Sequence, residues 1–584
     1  MIPEFDFQKL SKKLSDEETF FHFYSYGKSP NSILFTSLKE IHYFRTSEEL
    51  ETYNSSIESW VENGYFPCNI YFYEAGFKNN FLPQAGSSLL GIGAVFRSMI
   101  EFDFLGEIPE YQNPVENLNI SIDKSTYIES VETIRKSIEN GEVYQVNFSF
   151  RLNFELQTNP YAFFFQLSRK KPTGYSVFAR ISPELYYLSL SPELFFEKKG
   201  NLLSCLPMKG TSSLENSEIL NSEKNIAENY MILDLLRNDL GKISIPGSVH
   251  VSDILKQERF GNIIQVTSRV KSESTPGINF SDIFQALFPS GSITGAPKKK
   301  AMEIISRLES ENRNIYTGSI GYHTKEITKY NVAIRTIEIQ KNQAEMGIGS
   351  GIVFDSNPEE EWVECHQKAS FLYRSMGFFL FETILIKRNK IYLWKEHLER
   401  IVSACDLLFS FSPETELQKK INELKIPDSG KYRLKISVHP DGKIDFHLES
   451  FQSLKTKGKI CISEDTMNSG NFLLNFKTSV RDIYDKNFTK AKEKDYLDAI
   501  FINERSELTE GCISNLFIRL DGIYFTPPIE SGLLPGVFRN KLLKRFPKYF
   551  QEKILYKSDL DRAETLFICN SLRGIIKIIQ PNCI

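Results

Sequence analysis

Lys209 stands in the stretch SCLPMKGTSS, residues 204–213, between a Pro-Met pair and a Gly-Thr pair. The flanking Cys205, Leu206 and Met208 predict a strand leaving a core, and Gly210 predicts a turn. A lysine at such a junction is either a solvated loop side chain or an amine poised for chemistry. As a nucleophile it must be uncharged, and an ordinary lysine is only about 0.1% neutral near pH 7.4. Making it mostly neutral takes about 4 kcal/mol from burial or neighbouring cations. A reactive Lys209 therefore has to be walled in beside its substrate.

A second group stands near residue 360. Glu361, Glu364 and Lys368 are spaced three and four apart, so a helix carries all three on one face. Asn357 and Pro358 supply an N-cap and a first-turn proline, and the dipole favours the acidic run that follows. The stripe fits an exposed salt-bridged face, and it equally fits oxygen ligands for Mg²⁺ beside an anion-binding lysine. Glu228, in an earlier helical stretch with Leu235 and Asp239, is open to the same two readings. Glycines 347, 349 and 351 match neither a dinucleotide fingerprint nor a P-loop. They suit a closely packed strand, or a backbone that aims N–H groups at a carboxylate.

These residues need elements to position them. Ile128, Val131, Ile134 and Ile138 predict an amphipathic helix over 125–141, closed by Gly141. Strands are predicted in VYQVNFSFRL, YNVAIRTIEIQ and QAEMGIGSGIVF, and helices in SEKNIAENYMILDLLRNDLG, after GSITGAP, and from Pro358 to Met376. At FFLFETILIKRNKIYLW a strand, a turn and a strand open a new unit, which divides the chain into residues 1–376 and 377–584. Neither half alternates strand and helix regularly, so both are predicted to be α+β.

The chain has 584 residues, enough for two or more domains. With 70 basic against 74 acidic side chains and no basic block, it lacks the footprint of a nucleic-acid binder. No apolar run reaches the length of a membrane span, and MIPEFDFQKL lacks the order of a signal peptide. Eight scattered cysteines without a C-x-x-C pair fit reduced thiols. The expectation is a cytoplasmic multidomain protein.

The motifs GEVYQVNFSFRL, PMKGTSS, AENYMILDLLRNDLGKIS, FPSGSITGAPKKKAMEII, YTGSIGY, AIRTIEI and GIGSGIVFDSNPEEEWVECHQKA occur in this order over about residues 120–372. In that order they resemble the chorismate-binding enzymes, which include anthranilate, isochorismate and aminodeoxychorismate synthases. The resemblance implies a two-sheet α/β sandwich that binds chorismate. Members making anthranilate or isochorismate carry a small residue where Lys209 stands, whereas aminodeoxychorismate synthases carry lysine; Asn147 leans the same way. The family mechanism implies that Lys209 attacks C2 of chorismate and expels the C4 hydroxyl, after which ammonia enters at C4. Glu193 would protonate the departing hydroxyl, and Glu228, Glu361 and Glu364 would hold Mg²⁺. Thr294, Arg335, Lys368 and the amides of Gly349 and Gly351 would bind the carboxylates. Gln265 stands where many relatives have a histidine.

The second half offers FFLFETI, KEHLERI, LNFKTSVRDIY, ELTEGCISNLFI, GLLPGVFRNKLL and FICNSLRGI over about residues 378–576. Together these resemble the fold-type-IV pyridoxal-phosphate enzymes, which include D-amino-acid and branched-chain aminotransferases and 4-amino-4-deoxychorismate lyase. The resemblance implies that Lys477 holds the cofactor covalently and moves protons, and that Glu510 pairs with the pyridine nitrogen. Arg400 would clamp the phosphate bidentately, with the Gly536–Val537 amides and Ser571 adding contacts. Some relatives place a hydroxyl where Phe538 stands. The two resemblances imply successive steps from chorismate to 4-aminobenzoate, with ammonia supplied by a glutamine amidotransferase partner or taken up free. The alternatives for the second half are a fused aminotransferase and a degenerate non-catalytic module. Relatives of the second half pair as dimers, which extends to this chain as an expected homodimer.

Overall fold

The apolar spacing after residue 123 produces the helix Lys124–Glu139, whose first turn is capped by the Asp123 carboxylate. Tyr127, Val131 and Ile134 are its buried positions, and Gly141 beyond its end takes the left-handed conformation at φ +74°. The computed structural model describes residues 2–77, 89–109, 111, 113–213, 223–260, 263–452 and 457–579. Within these ranges the side chains of 209–213, 223–225, 227, 258–260, 263 and 265 lie outside the description.

The chain divides into two compact units. One comprises Met1–Glu116 and Ser121–Phe371, the other Asn117–Ile120 and Leu372–Ile584. Both mix helices with antiparallel sheet, as an α+β chain should. In the first unit the expected sheets are joined through shared strands into one network of 19 strands. Phe21, Phe35, Ile70, Ile92, Val177 and Ile320 form a core contributed by strands. A second core packs Tyr53, Ile57, Ile232, Leu236, Phe280 and Phe284 of three helices against Phe196, Val270 and Tyr330.

The strand Gln145–Leu156 organises the expected substrate side. It pairs with Gln343–Ile352, setting Gly349 opposite Ser149 and Gly351 opposite Asn147. Its start pairs with Gly295–Ala296. A Cβ on Gly295 would lie 2.2 Å from the Gln145 carbonyl oxygen, so only glycine admits this approach.

Three predicted elements differ from their sequence reading. YNVAIRTIEIQ splits into strands Thr328–Asn331 and Thr336–Gln340, because Arg335 adopts φ +52°. The helix expected from Pro358 to Met376 breaks at Ala369 into Pro358–Lys368 and Ser370–Ser375. The turn expected at Gly210 is a β-bulge instead. Met208–Ser213 continues as a strand, and Met208 to Thr211 runs opposite Thr267 to Gln265 with one residue extra.

In the second unit Leu380–Lys387 alternates buried and half-buried residues in a four-stranded sheet. The predicted hairpin forms from Asn515–Leu520 and Ile523–Thr526 within a six-stranded sheet. A three-stranded sheet contains Leu508–Gly511, which carries Glu510. Among the described residues no helix is long and apolar enough to cross a membrane.

Candidate active sites

In the first unit a run of hydrogen bonds ties several expected residues together. Glu193 is buried between two strands, and its Oε1 accepts from Ser292 Oγ at 2.8 Å. Ser292 begins the turn that leads to Thr294, whose hydroxyl donates to the Ser290 carbonyl at 2.9 Å. The Asn147 amide nitrogen donates to the Ile293 carbonyl at 2.9 Å, joining this turn to the strand that faces Gly351. Lys368 Nζ donates to the Gly349 carbonyl at 2.8 Å. Arg335 follows the segment whose Val332 amide donates to the Glu193 carbonyl.

Arg335 is the distinctive cation here. Its Nη1 is buried without a hydrogen-bond partner, and burial pulls its pKa down to about 10. A left-handed backbone at an arginine whose Nη1 has no hydrogen-bond partner is a strained arrangement suited to binding an anion.

The acidic stripe divides into one ion pair and one buried carboxylate. Lys368 Nζ lies 2.8 Å from Glu364 Oε1; burial opposes its charge, but Glu364 outweighs that and raises its pKa well above the ordinary value. Lys368 thus pairs with Glu364 while also reaching the Gly349 carbonyl, beside the glycines expected to bind a carboxylate. Glu361 is buried and accepts from Ser356 Oγ at 2.7 Å. Glu228 lies in the helix Glu223–Gly241, which docks on Ile263–Glu273 through the Ser268 hydroxyl and Asn229. Among the described residues no three acidic, histidine or cysteine side chains are grouped closely enough to hold a metal ion. The Lys209 and Gln265 side chains lie outside the described residues, so only the bulge that bears Lys209 is defined.

The sequence reading missed Arg313. Its guanidinium is fully buried, holds both oxygens of Glu309 at 3.0 and 2.7 Å, and donates to the Ile293 carbonyl at 3.1 Å. It also donates to the Asn147 carbonyl. This pair locks the Thr294 turn onto the central strand. Nothing in the spacing of Glu309 and Arg313 distinguishes them from an exposed helical pair; only burial does.

In the second unit Arg400, Lys477, Glu510, Val537 and Ser571 all border one cavity of about 370 Å³. Lys477 Nζ lies 4.7 Å from the centre of the Phe381 ring. Burial, then Arg400 and Arg481, lower its pKa to about 8, against the opposing pull of Glu382 and Glu510. Glu510 accepts from Tyr484 Oη at 3.0 Å and the Leu534 amide at 3.1 Å, and burial raises its pKa to about 7. A cationic ring nitrogen beside it would restore the carboxylate.

The helix Val537–Arg545 has no side-chain cap, leaving its first amides for an anion. A Cβ on Gly536 would sit 1.9 Å from Asn515 Oδ1, so the approach at this N-terminus requires glycine. A buried amine, an acid across the cavity and an uncapped helix start together fit pyridoxal phosphate. Arg400 is anchored on the side away from its free donors. Its Nε and Nη2 grip both oxygens of Glu382 at 2.7 Å, and Nη1 donates to the Pro535 carbonyl at 3.2 Å. Of five N–H donors, two remain for a phosphate. Glu382 also accepts from His397 Nδ1 at 2.7 Å; burial disfavours its charge, but Arg400 and His397 hold its pKa far below the usual carboxylate range. Glu382 and His397 sat inside quoted motifs without being recognised as the support of Arg400.

Comparison with known proteins places these sites in families. Residues 105–374 match the model of chorismate binding enzymes, and residues 379–580 match amino-transferase class IV. Aminodeoxychorismate synthase component 1 of Bacillus subtilis is 38% identical over 260 residues, covering 43% of this chain and 55% of that protein. The chain thus spans about half the length of that relative. Anthranilate synthase component 1 of Saccharolobus solfataricus is 30% identical over 341 residues, covering 56% of this chain and 77% of that protein. A crystal structure assigned as a 2,3-dihydroxybenzoate-specific isochorismate synthase from Bacillus anthracis shares the fold, with TM-score 0.51 and 19% identity over 63% of this chain and 99% of that one. The chain belongs to the chorismate-binding enzymes. It joins that enzyme to a class IV aminotransferase-type domain, whose fold implies pyridoxal phosphate.

Proposed function

We propose that this chain converts chorismate to 4-aminobenzoate in two steps. Within residues 1–376, chorismate is aminated at C4; within 377–584, the resulting 4-amino-4-deoxychorismate loses pyruvate. The observation that carries the reading is a lysine at 209 on a strand bulge, in a chain that continues into a class IV domain.

In the first step the Lys209 amine bonds to C2 as both ring double bonds shift, C1=C2 to C1=C6 and C5=C6 to C4=C5, and the C4–O bond breaks. Glu193, held by Ser292, delivers a proton so that water leaves. Ammonia then bonds to C4 and the C2–N bond breaks, freeing the lysine. Arg335, with Thr294 and the Gly349 and Gly351 amides, would hold the carboxylates. Mg²⁺ belongs to this reading as their counter-ion, with Glu228, Glu361 and Glu364 offered for it; the Lys368–Glu364 bridge would have to open. Ammonia from a glutamine amidotransferase partner completes the first step.

In the second step the cofactor, when bound, supplies an electron sink. Lys477 removes the C4 proton from the substrate, and Glu510 keeps the pyridine nitrogen protonated. Arg400, the Val537 amide and Ser571 would hold the phosphate. The enolpyruvyl group leaves as pyruvate while the ring becomes aromatic.

The deciding experiment gives the purified chain chorismate, ammonium and Mg²⁺, with and without glutamine. Release of 4-aminobenzoate and pyruvate in equal amounts is expected. Accumulation of 4-amino-4-deoxychorismate would instead assign the second unit to another class IV reaction.

A further inference from the structure

The motif FICNSLRGI contributes Ser571 to the expected phosphate contacts, but its arginine has no part in the arrangement above. Arg573 borders the same cavity as Lys477. Its Nε is buried without a hydrogen-bond partner, and among the described residues its guanidinium enters no ion pair. Asp498 is the neighbouring carboxylate, yet it is already served by Ser514 Oγ at 2.5 Å and the amides of Ala499 at 3.0 Å and Ile513 at 3.3 Å. Arg433 borders the cavity too and is paired with Glu449. Burial lowers the pKa of Arg573; Asp498 opposes this and Arg433 adds to it.

A half-buried guanidinium whose Nε is shut off from water without an acceptor is costly until an anion arrives. Two anions belong to this site, the cofactor phosphate and the substrate carboxylates. The phosphate already has its own cradle in the uncapped helix at Val537, the glycine-only approach at Gly536 and the free donors of Arg400. We infer that Arg573 binds a carboxylate of the substrate and so makes the second site selective for a dicarboxylate. This rests on the lyase reading of that site, whose substrate carries a ring carboxylate and an enolpyruvyl carboxylate. The planar fork suits such a group bidentately, which a lysine cannot reproduce.

The test compares the full-length chain, loaded with pyridoxal phosphate, with its Arg573→Gln and Arg573→Lys variants. KM for 4-amino-4-deoxychorismate is expected to rise about ten- to hundredfold in Arg573→Gln, the worth of one charge-assisted contact. The kcat should stay within about threefold, the cofactor absorbance should be unchanged, and Arg573→Lys should recover part of the loss. Isophthalate, a non-reacting aromatic dicarboxylate titrated through the cofactor absorbance, should weaken in parallel. Unchanged KM and unchanged isophthalate affinity overturn the inference. So does loss of cofactor from Arg573→Gln, which would assign the arginine to the phosphate. A wild-type chain that holds cofactor but releases no pyruvate refutes the lyase reading alone, and the isophthalate titration still decides the arginine.

Discussion

Lys477 and Lys209 set two versions of the same problem, how to keep an amine neutral in water. At Lys477 burial, Arg400 and Arg481 lower the pKa to about 8, so the amine is protonated below that pH and free above it. Attachment of pyridoxal phosphate needs the free amine. Reconstitution of the apo chain should therefore speed up about tenfold per pH unit below 8 and level off above it, as followed by cofactor absorbance. A flat rate between pH 6 and 9 would contradict this. The proposed amination asks the same poise of Lys209. Lys209→Ala should slow chorismate consumption on the order of a thousandfold or more, measured in ammonium and Mg²⁺. Conversion by that variant at the parental rate would remove the covalent role.

At the scale of elements, the start of helix Val537–Arg545 is fixed by one contact. Gly536→Ala must push Asn515 aside, and Asn515 also donates to Glu510 at 3.3 Å and the Leu534 carbonyl at 3.0 Å. Cofactor affinity should fall about tenfold, the effect of roughly 1–2 kcal/mol, read by equilibrium dialysis. Local signals of this kind were legible where chemistry and geometry coincide within a few residues. The Asn357 cap with Pro358, the helix after Asp123 and the hairpin at Asn515–Thr526 are such cases. The break at Arg335 was not legible, because an arginine has no intrinsic preference for φ +52° and only tertiary packing imposes it. Nor were the Glu309–Arg313 and Glu382–Arg400 pairs, whose partners are ordinary surface types until the fold buries them. Removing one partner of such a buried pair costs about 3–5 kcal/mol, so these residues support the sites through the fold. The acidic stripe shows the limit of spacing. It placed Glu361, Glu364 and Lys368 on one helix but not whether Lys368 faced a ligand or Glu364.

The whole chain joins two units whose proposed reactions share an intermediate. If each unit carries one step, Lys477→Ala should leave chorismate consumption unchanged while 4-aminobenzoate disappears and 4-amino-4-deoxychorismate builds up, as separated by chromatography. Loss of both activities together would show that the halves depend on one another. Within the first unit, the extra residue opposite Thr267 and Gln265 carries a wider lesson. Exchanging the side chain at 209 alters chemistry and leaves the ladder in step. Removing one residue from that stretch would erase the bulge and let the two strands run residue against residue between Met208 and Gln265, so the backbone irregularity that bears position 209 is encoded by chain length there and not by the identity of the lysine.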